Sequence, residues 1–301
     1  MSFPYVTDLL NALFGTRLDL PIPTFGVLVA AAILSAGALA RKEVKTREAA
    51  GLLPTGTHGL VGDLTVVTCV AGIVGARALH IIDHWEPFVA DPWAMIASRG
   101  GFSIYGGLCA GVASGVLWLR RRNVPLAPML DAVAPSMMLG YAVGRLGCQL
   151  AGDGDWGIAA DMTLKPAWLP EWLWAQTYDG NIVGVAIPAP GVYPTSIYEA
   201  VAALALFGLL WRLRSLAPRP GFLFCVYLLA AGFERLLIEK IRINPEHSWL
   251  GVPLTQAEAI SILVIAAGLI GVLFTLRSRR YSTRIVFALG VAAALSACVP
   301  L

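Results

Sequence analysis

Residues 144–157 read "GRLGCQLAGDGDWG", an arginine among glycines close to the end of a long, mostly apolar run. Where that run lies decides the fold. Of the 301 residues 57% are hydrophobic and 14% charged, with a mean hydropathy of +0.71, more apolar surface than a soluble core of this length buries. The chain is therefore read as an all-α, polytopic integral membrane protein. A helix needs about 17–25 apolar residues to cross hydrocarbon. Such stretches fall near 21–40, 60–82, 103–119, 129–150, 196–211, 221–241, 255–276 and 284–299, which gives seven to eight transmembrane helices.

The basic residues set the orientation, because Lys and Arg in short loops stay cytoplasmic. Arg41, Lys42, Lys45 and Arg47 follow the first stretch, Arg120, Arg121 and Arg122 the third, Arg212, Arg214 and Arg219 the fifth, and Arg277, Arg279, Arg280 and Arg284 the seventh. Those are 14 of the 22 basic residues, all on alternate loops. The intervening loops carry Asp83, Glu86 and Asp91, then Asp153, Asp155, Asp161, Glu171 and Asp179. The amino terminus and the loops 83–102, 151–195 and 242–254 thus face outward. The net charge of +3 is a topology signal and not a nucleic-acid footprint, so no nucleic-acid partner is expected.

No polar linker separates two folded units. The chain divides into an outward amino-terminal segment, 1–20, a membrane domain, 21–276, and an extra carboxyl-terminal span, 277–301. The first segment has no basic start and no small-residue cleavage site, so it is not a signal peptide. Leu9, Leu10, Leu13 and Phe14 share one helical face, which reads as a helix lying on the outer surface. In the long outer loop Trp156, Trp168, Trp172, Trp174 and Tyr178 suit the headgroup level of the bilayer. The five cysteines lack paired spacing, and His80 and His84, four apart, have no third ligand nearby. Neither a disulfide framework nor a metal site is expected.

What composition does not explain is charge inside the spans: Arg77 in "AGIVGARALHII", Arg145 in "GYAVGRLGC" and Arg235 in "GFERLLIEK" beside Glu234 and Glu239. Intramembrane charges are costly and face a partner, a cavity or a charged ligand. Internal ion pairs are the plain reading of each one. Three arginines with small neighbours, at Gly72, Gly75, Ala76, Gly144, Gly147 and Gly232, instead suggest room for a head group. A guanidinium grips phosphate through two parallel hydrogen bonds, so an anionic phospholipid is the ligand class.

These residues also carry a resemblance. "SRGGFSIYGGLCAG" (98–111), "YAVGRLGCQLAGDGDWG" (141–157), "YPTSIYEA" (193–200), "ERLLIEKIR" (234–242) and "PLTQAE" (253–258) are similar, in order and spacing, to the prolipoprotein diacylglyceryl transferase family. The similarity runs from about Phe25 to about Leu276. It implies seven spans in the bacterial cytoplasmic (inner) membrane, with the amino terminus outside. It also implies an enzyme that moves the diacylglyceryl group of phosphatidylglycerol to a lipobox cysteine and releases glycerol phosphate. No cofactor is implied. The partners are the membrane, phosphatidylglycerol and a lipoprotein signal peptide.

Residue by residue, the resemblance gives Arg145, Arg235 and Asp153 catalytic roles, with Tyr105 at the position of the family's histidine. Substrate-binding roles fall to Arg77, Gly106, Gly107, Gly144, Cys148, Tyr198, Glu199, Glu239 and Gln256. Asp153 stands for a glutamate and Cys148 for an asparagine, and Phe25 and Ala231 each replace a tyrosine. The reaction needs a stabilised leaving phosphate and a proton acceptor for the thiol. Arginines suit the first task. A tyrosine, titrating near ~10 where histidine titrates near ~6.5, suits the second poorly, so Tyr105 fits lipid orientation better than base catalysis. The alternative function is a catalytically impaired homologue that binds an anionic phospholipid or a lipoprotein signal peptide.

Two further motifs are present. Gly152-Asp153-Gly154-Asp155 matches the GxGD pattern of intramembrane aspartyl proteases, which need a second membrane aspartate, here Asp63 or Asp131. The tail ends in Leu295-Ser296-Ala297-Cys298 after arginines and an apolar stretch. That fits a lipobox and makes Cys298 a candidate modified residue.

Overall fold

The computed structural model describes residues 2–98, 100–249 and 252–277. They are predominantly helical: α1 (Val6–Phe14), α2 (Thr24–Ala49), α3 (Val61–Asp83), α4 (Trp85–Ala90), α5 (Pro92–Ala97), α6 (Ile104–Arg121), α7 (Leu126–Ala151), α8 (Thr195–Leu213), α9 (Phe222–Glu239) and α10 (Gln256–Arg277). Five stretches are long and apolar enough to cross a bilayer: Thr24–Ala49, Thr57–Asp83, Leu126–Ala151, Thr195–Leu213 and Gln256–Leu276. The two remaining long helices, α6 and α9, coincide with the apolar stretches 103–119 and 221–241. The stretch 284–299 and Cys298 lie outside the described residues. On α3, Val66, Val70, Ile73 and Val74 are each 56–63% exposed. Four exposed β-branched residues on one helical stripe belong against lipid chains, where no desolvation cost attaches to them.

The sequence places Arg41–Arg47 in a loop, and the structure continues α2 through them to Ala49. Hydropathy marks where hydrocarbon ends, not where the backbone stops hydrogen bonding. Cations also suit a last helical turn. Here Glu43, 4% exposed, pairs with Arg214 at 3.5 Å. A second difference lies at 242–254, read as loop, where β1 (Glu246–Trp249) and β2 (Val252–Thr255) form an antiparallel hairpin.

The described chain divides into two compact units, and α2, α7, α9 and α10 each contribute a stretch to both. One unit comprises 1–38, 135–213 and 230–261. In it α2 packs on α7 through small residues: a Cβ on Gly147 would lie 3.2 Å from Leu28 Cβ and 3.4 Å from Phe25 Cδ2. The 151–195 loop is folded in its own right. Tyr178, 1% exposed, donates to Gln149 Oε1 at 2.7 Å, and Gln149 Nε2 donates to Gln176 Oε1 at 2.8 Å. Trp174 Nε1 donates to Asp161 O at 2.9 Å. The amino-terminal segment is stitched to this loop, Ser2 N donating to Asp179 O at 2.8 Å, so both lie on one side. On α1, Leu13 and Phe14 are exposed.

The other unit comprises, among the described residues, 39–134, 214–229 and 262–277. Its centre is the contact of α3 with α6. A Cβ on Gly106 would lie 2.3 Å from Gly75 O, and one on Gly75 2.5 Å from Gly106 O. Only glycine permits such backbone approach. Below it Val44, Leu53, Val61, Leu119, Val124, Met129 and Ala132 form a buried apolar cluster. Asp131, fully buried, caps α9 by accepting from Gly221 N at 2.7 Å and Phe224 N at 2.8 Å.

Candidate active site

The "YPTS" turn that opens α8 holds the "GDGDWG" turn that follows α7. Thr195 Oγ1 and Ser196 Oγ both donate to the Asp155 carbonyl, at 2.7 and 3.1 Å. Gly154, at φ +99, turns the chain so that Asp155 faces inward. Gly157 then pairs with Arg242, just beyond α9, in an antiparallel bridge. A Cβ on Gly157 would meet Ile241 O at 2.5 Å, so the bridge requires glycine. The result is one carboxylate between two guanidiniums: Arg145 Nη1 on Asp155 Oδ2 and Arg242 Nη2 on Asp155 Oδ1.

One turn into α8 sits Glu199, with no exposed side-chain surface. Its Oε2 lies 3.1 Å from Arg145 Nε and 3.5 Å from Arg242 Nη1, and its Oε1 is 3.2 Å from Arg235 Nη1. Tyr141 donates its hydroxyl to Oε1 at 3.1 Å. Arg235 Nη2 also meets Glu239 Oε2 at 2.9 Å, and Glu239 Oε1 accepts from Thr255 Oγ1 at 2.7 Å and from Asn244 Nδ2 at 2.6 Å. Three arginines from α7, α9 and the turn after α9 thus converge on Asp155, Glu199 and Glu239. Burial alone would push the Asp155 carboxyl up, but Arg145 and Arg242 outweigh it and hold it below the usual carboxylate range. Burial likewise works against the charge on Arg242, and Asp155 outweighs it and keeps that guanidinium firmly protonated.

Of the residues singled out in the sequence, Arg145, Arg235, Glu199 and Glu239 come together here. Cys148, 9% exposed, places its Sγ 3.9 Å from Arg145 Nη1. Gly144 has no atom within 4 Å of where a Cβ would stand, among the described residues, so the surface beside Arg145 is open. Asp153 accepts from Asp155 N at 3.3 Å, while the carboxylate the arginines hold is that of Asp155. Tyr198 donates to Leu173 O at 2.6 Å and ties α8 to the 151–195 loop. Gln256 opens α10.

Arg77, Tyr105, Gly106 and Gly107 belong to the other unit. Arg77 is taken up by the turn before α6: it donates to Ser98 O, to Ser98 Oγ at 3.0 Å, to Gly100 O at 2.8 Å and to Gly101 O at 3.0 Å, and stacks 4.3 Å over the Phe102 ring. α3 fills the space beside Gly106 and Gly107, and Tyr105 sits in the first turn of α6. Arg242 and Tyr141 are cluster members the sequence did not single out, and Asp155 stands out there only as part of the GxGD pattern. Arg242 lies beyond the last turn of α9, where helical spacing from Arg235 gives no signal.

Cys148, Asp153 and Asp155 present their sulfur and oxygen atoms within 4.8 Å of one another. Both Asp155 oxygens already hold a guanidinium, so a cation there would compete with Arg145 and Arg242 for them. The protease reading loses Asp131, whose carboxylate is committed to capping α9.

Fold and site define a helical membrane protein with a buried arginine–carboxylate cluster beside the folded 151–195 loop. Residues 12–274 match the family model for prolipoprotein diacylglyceryl transferase, and the chain belongs to that family. Among its relatives, the phosphatidylglycerol–prolipoprotein diacylglyceryl transferase of Nostoc sp. is 30% identical over 82% of this chain and 83% of its own. The protein of the same name from Bacillus cereus (strain 03BB102) is 31% identical over 83% and 86%. The one from Parasynechococcus marenigrum is 30% identical over 73% and 76%.

Proposed function

We propose that this chain transfers the diacylglyceryl group of phosphatidylglycerol to the thiol of a lipobox cysteine. It works at the outer face of the bacterial cytoplasmic membrane, with its amino terminus outward. In this reading 1–20 lies on the outer surface, 21–276 is the transferase body, and 277–301 is an extra span that delivers Cys298 outward. The relatives act, by their names, on phosphatidylglycerol and prolipoprotein.

The observation that carries the reading is the convergence of Arg145, Arg235 and Arg242 on Asp155 and Glu199. Without ligand the carboxylates neutralise the guanidiniums, which buried charge requires. A phosphodiester entering beside Gly144 competes with them for the guanidiniums and adds one negative charge to the cluster. As the thiol sulfur bonds to the glycerol carbon, the carbon–oxygen bond breaks and its electron pair stays on phosphate. The arginines then meet more negative charge than before, so they stabilise the transition state more than the bound lipid.

Tyr105 and Cys148, which stand where the resemblance expects histidine and asparagine, favour a second reading: a homologue that binds the lipid without transferring it. Complementation separates the two. In a bacterial strain depleted of its own transferase, this chain restores diacylglyceryl modification of a reporter lipoprotein. An unmodified reporter in cells where the protein is inserted and binds phosphatidylglycerol supports the second reading.

A further inference from the structure

Transfer requires something to take the thiol proton, and among the described residues one carboxylate beside the three arginines accepts no hydrogen bond and pairs with no cation. Asp155 holds two guanidiniums. Glu199 faces three and the Tyr141 hydroxyl. Glu239 is held by Arg235, Thr255 and Asn244. Glu234, on the last turns of α9 beside Arg235, differs from all of them. Its Oε1 is buried, and among the described residues it accepts no hydrogen bond and has no cation within ion-pair distance. Its charged neighbours are Glu199 on α8, Arg235 on α9, Arg145 on α7 and Arg242 beyond α9, the members of the cluster itself. A buried polar oxygen without a partner in a native structure calls for a reason.

We propose that Glu234 is the proton acceptor of the transfer reaction, a role that rests on the function proposed above. The acceptor thiol gives its proton to Glu234 Oε1. Its sulfur lone pair forms the sulfur–carbon bond, and the carbon–oxygen bond breaks with its pair on the phosphate oxygen. Glu234 returns the proton to the departing glycerol phosphate, which leaves the carboxylate ready for another turnover. An acceptor already holding a guanidinium has to release it to take a proton, and Glu234 Oε1 has none to release.

Charge conservation argues the same way. When Glu234 becomes neutral, one negative charge disappears beside Arg145, Arg235 and Arg242 in the step in which the phosphate gains one. The sum over cluster and phosphate is therefore constant, which matters where water does not screen. The position is also independent of residue 105, so the chain can do without a histidine there.

The test uses the full chain with phosphatidylglycerol and a lipobox peptide carrying either cysteine or selenocysteine, whose selenol is already ionised at neutral pH. Glu234→Gln keeps the side-chain shape and removes the acceptor. Expected is a kcat on the cysteine peptide lowered about 100-fold or more, phosphatidylglycerol binding within threefold of wild type, and activity on the selenocysteine peptide largely restored. Residual activity on cysteine should rise with pH as the thiol ionises unaided. A Glu234→Gln kcat within threefold of wild type overturns the inference. So does loss of activity on both peptides or loss of lipid binding, which marks a structural role, or the same selective defect appearing in Asp153→Asn with Glu234→Gln unaffected. If wild type itself transfers nothing to either peptide, the proposed function falls and the inference with it.

Discussion

Arg145 and Arg242 hold opposite oxygens of one carboxylate, that of Asp155. They come from α7 and from the turn beyond α9, and the bridge between Gly157 and Arg242 fixes how far apart they stand. An anion recognised here is read by guanidiniums whose positions are set before it arrives, which limits the ordering cost of binding.

The arginines of the cluster should therefore govern lipid affinity separately from the exposed ones at helix ends. Arg145→Ala and Arg235→Ala are each expected to weaken phosphatidylglycerol binding roughly 10- to 100-fold, while Arg121→Ala, at the exposed end of α6, changes it less than twofold, on the order of surface effects. Binding to nanodisc-embedded protein measures this. Equal losses in all three would assign the binding to surface electrostatics.

The ion pairs of Asp155 should show in the pH dependence of stability. Because Arg145 and Arg242 hold the Asp155 carboxyl below its ordinary range, its ionised form adds stability above the unfolded value near ~3.9, and that stability is lost as pH falls through the lower folded value. Thermal unfolding in detergent should show Asp155→Asn below wild type at pH 7, with the gap closing in strong acid. Asp153→Asn should show a smaller gap. A gap for Asp155→Asn that widens in acid would contradict the assignment.

How much of this the sequence discloses depends on the residue. Arg145 and Arg235 stand out because charge in a span demands a partner, and Glu199 and Glu239 because the motifs carry them. "GDGDWG" contains two acids, and the resemblance favours Asp153. Only the left-handed turn at Gly154 and the pairing of Gly157 decide that Asp155 meets the arginines. Arg242 lies beyond the end of α9, where an arginine reads as an ordinary interfacial residue. Arg77 stands out for its place in a span, but its partners are backbone carbonyls brought near by a turn, which no side-chain motif announces.

The glycines of α3 and α6 are structural in this account. Gly106→Val puts methyl groups where Gly75 O and Leu79 already stand and should destabilise the protein by about 1–3 kcal/mol, whereas Gly144→Ala, facing open space, should leave unfolding nearly unchanged. Thermal unfolding with and without added phosphatidylglycerol separates the two positions. An equal loss at Gly144 would mean that its surroundings are filled.

Tyr105 should tolerate change in proton chemistry. With Glu234 as acceptor, Tyr105→His leaves kcat within about threefold, far from the 10²–10⁴ a new general base supplies. Transfer rates across a pH series check this. A gain above tenfold with the optimum moved to neutral pH would place the limiting proton transfer at residue 105.

The most direct measurement is product stoichiometry. Purified protein is given phosphatidylglycerol and a lipobox peptide, and both the peptide mass and released glycerol phosphate are followed. The account predicts one diacylglyceryl increment on the cysteine for each glycerol phosphate released, with both lost in Arg145→Ala. Tight binding of the lipid with an unmodified peptide and no glycerol phosphate would contradict it.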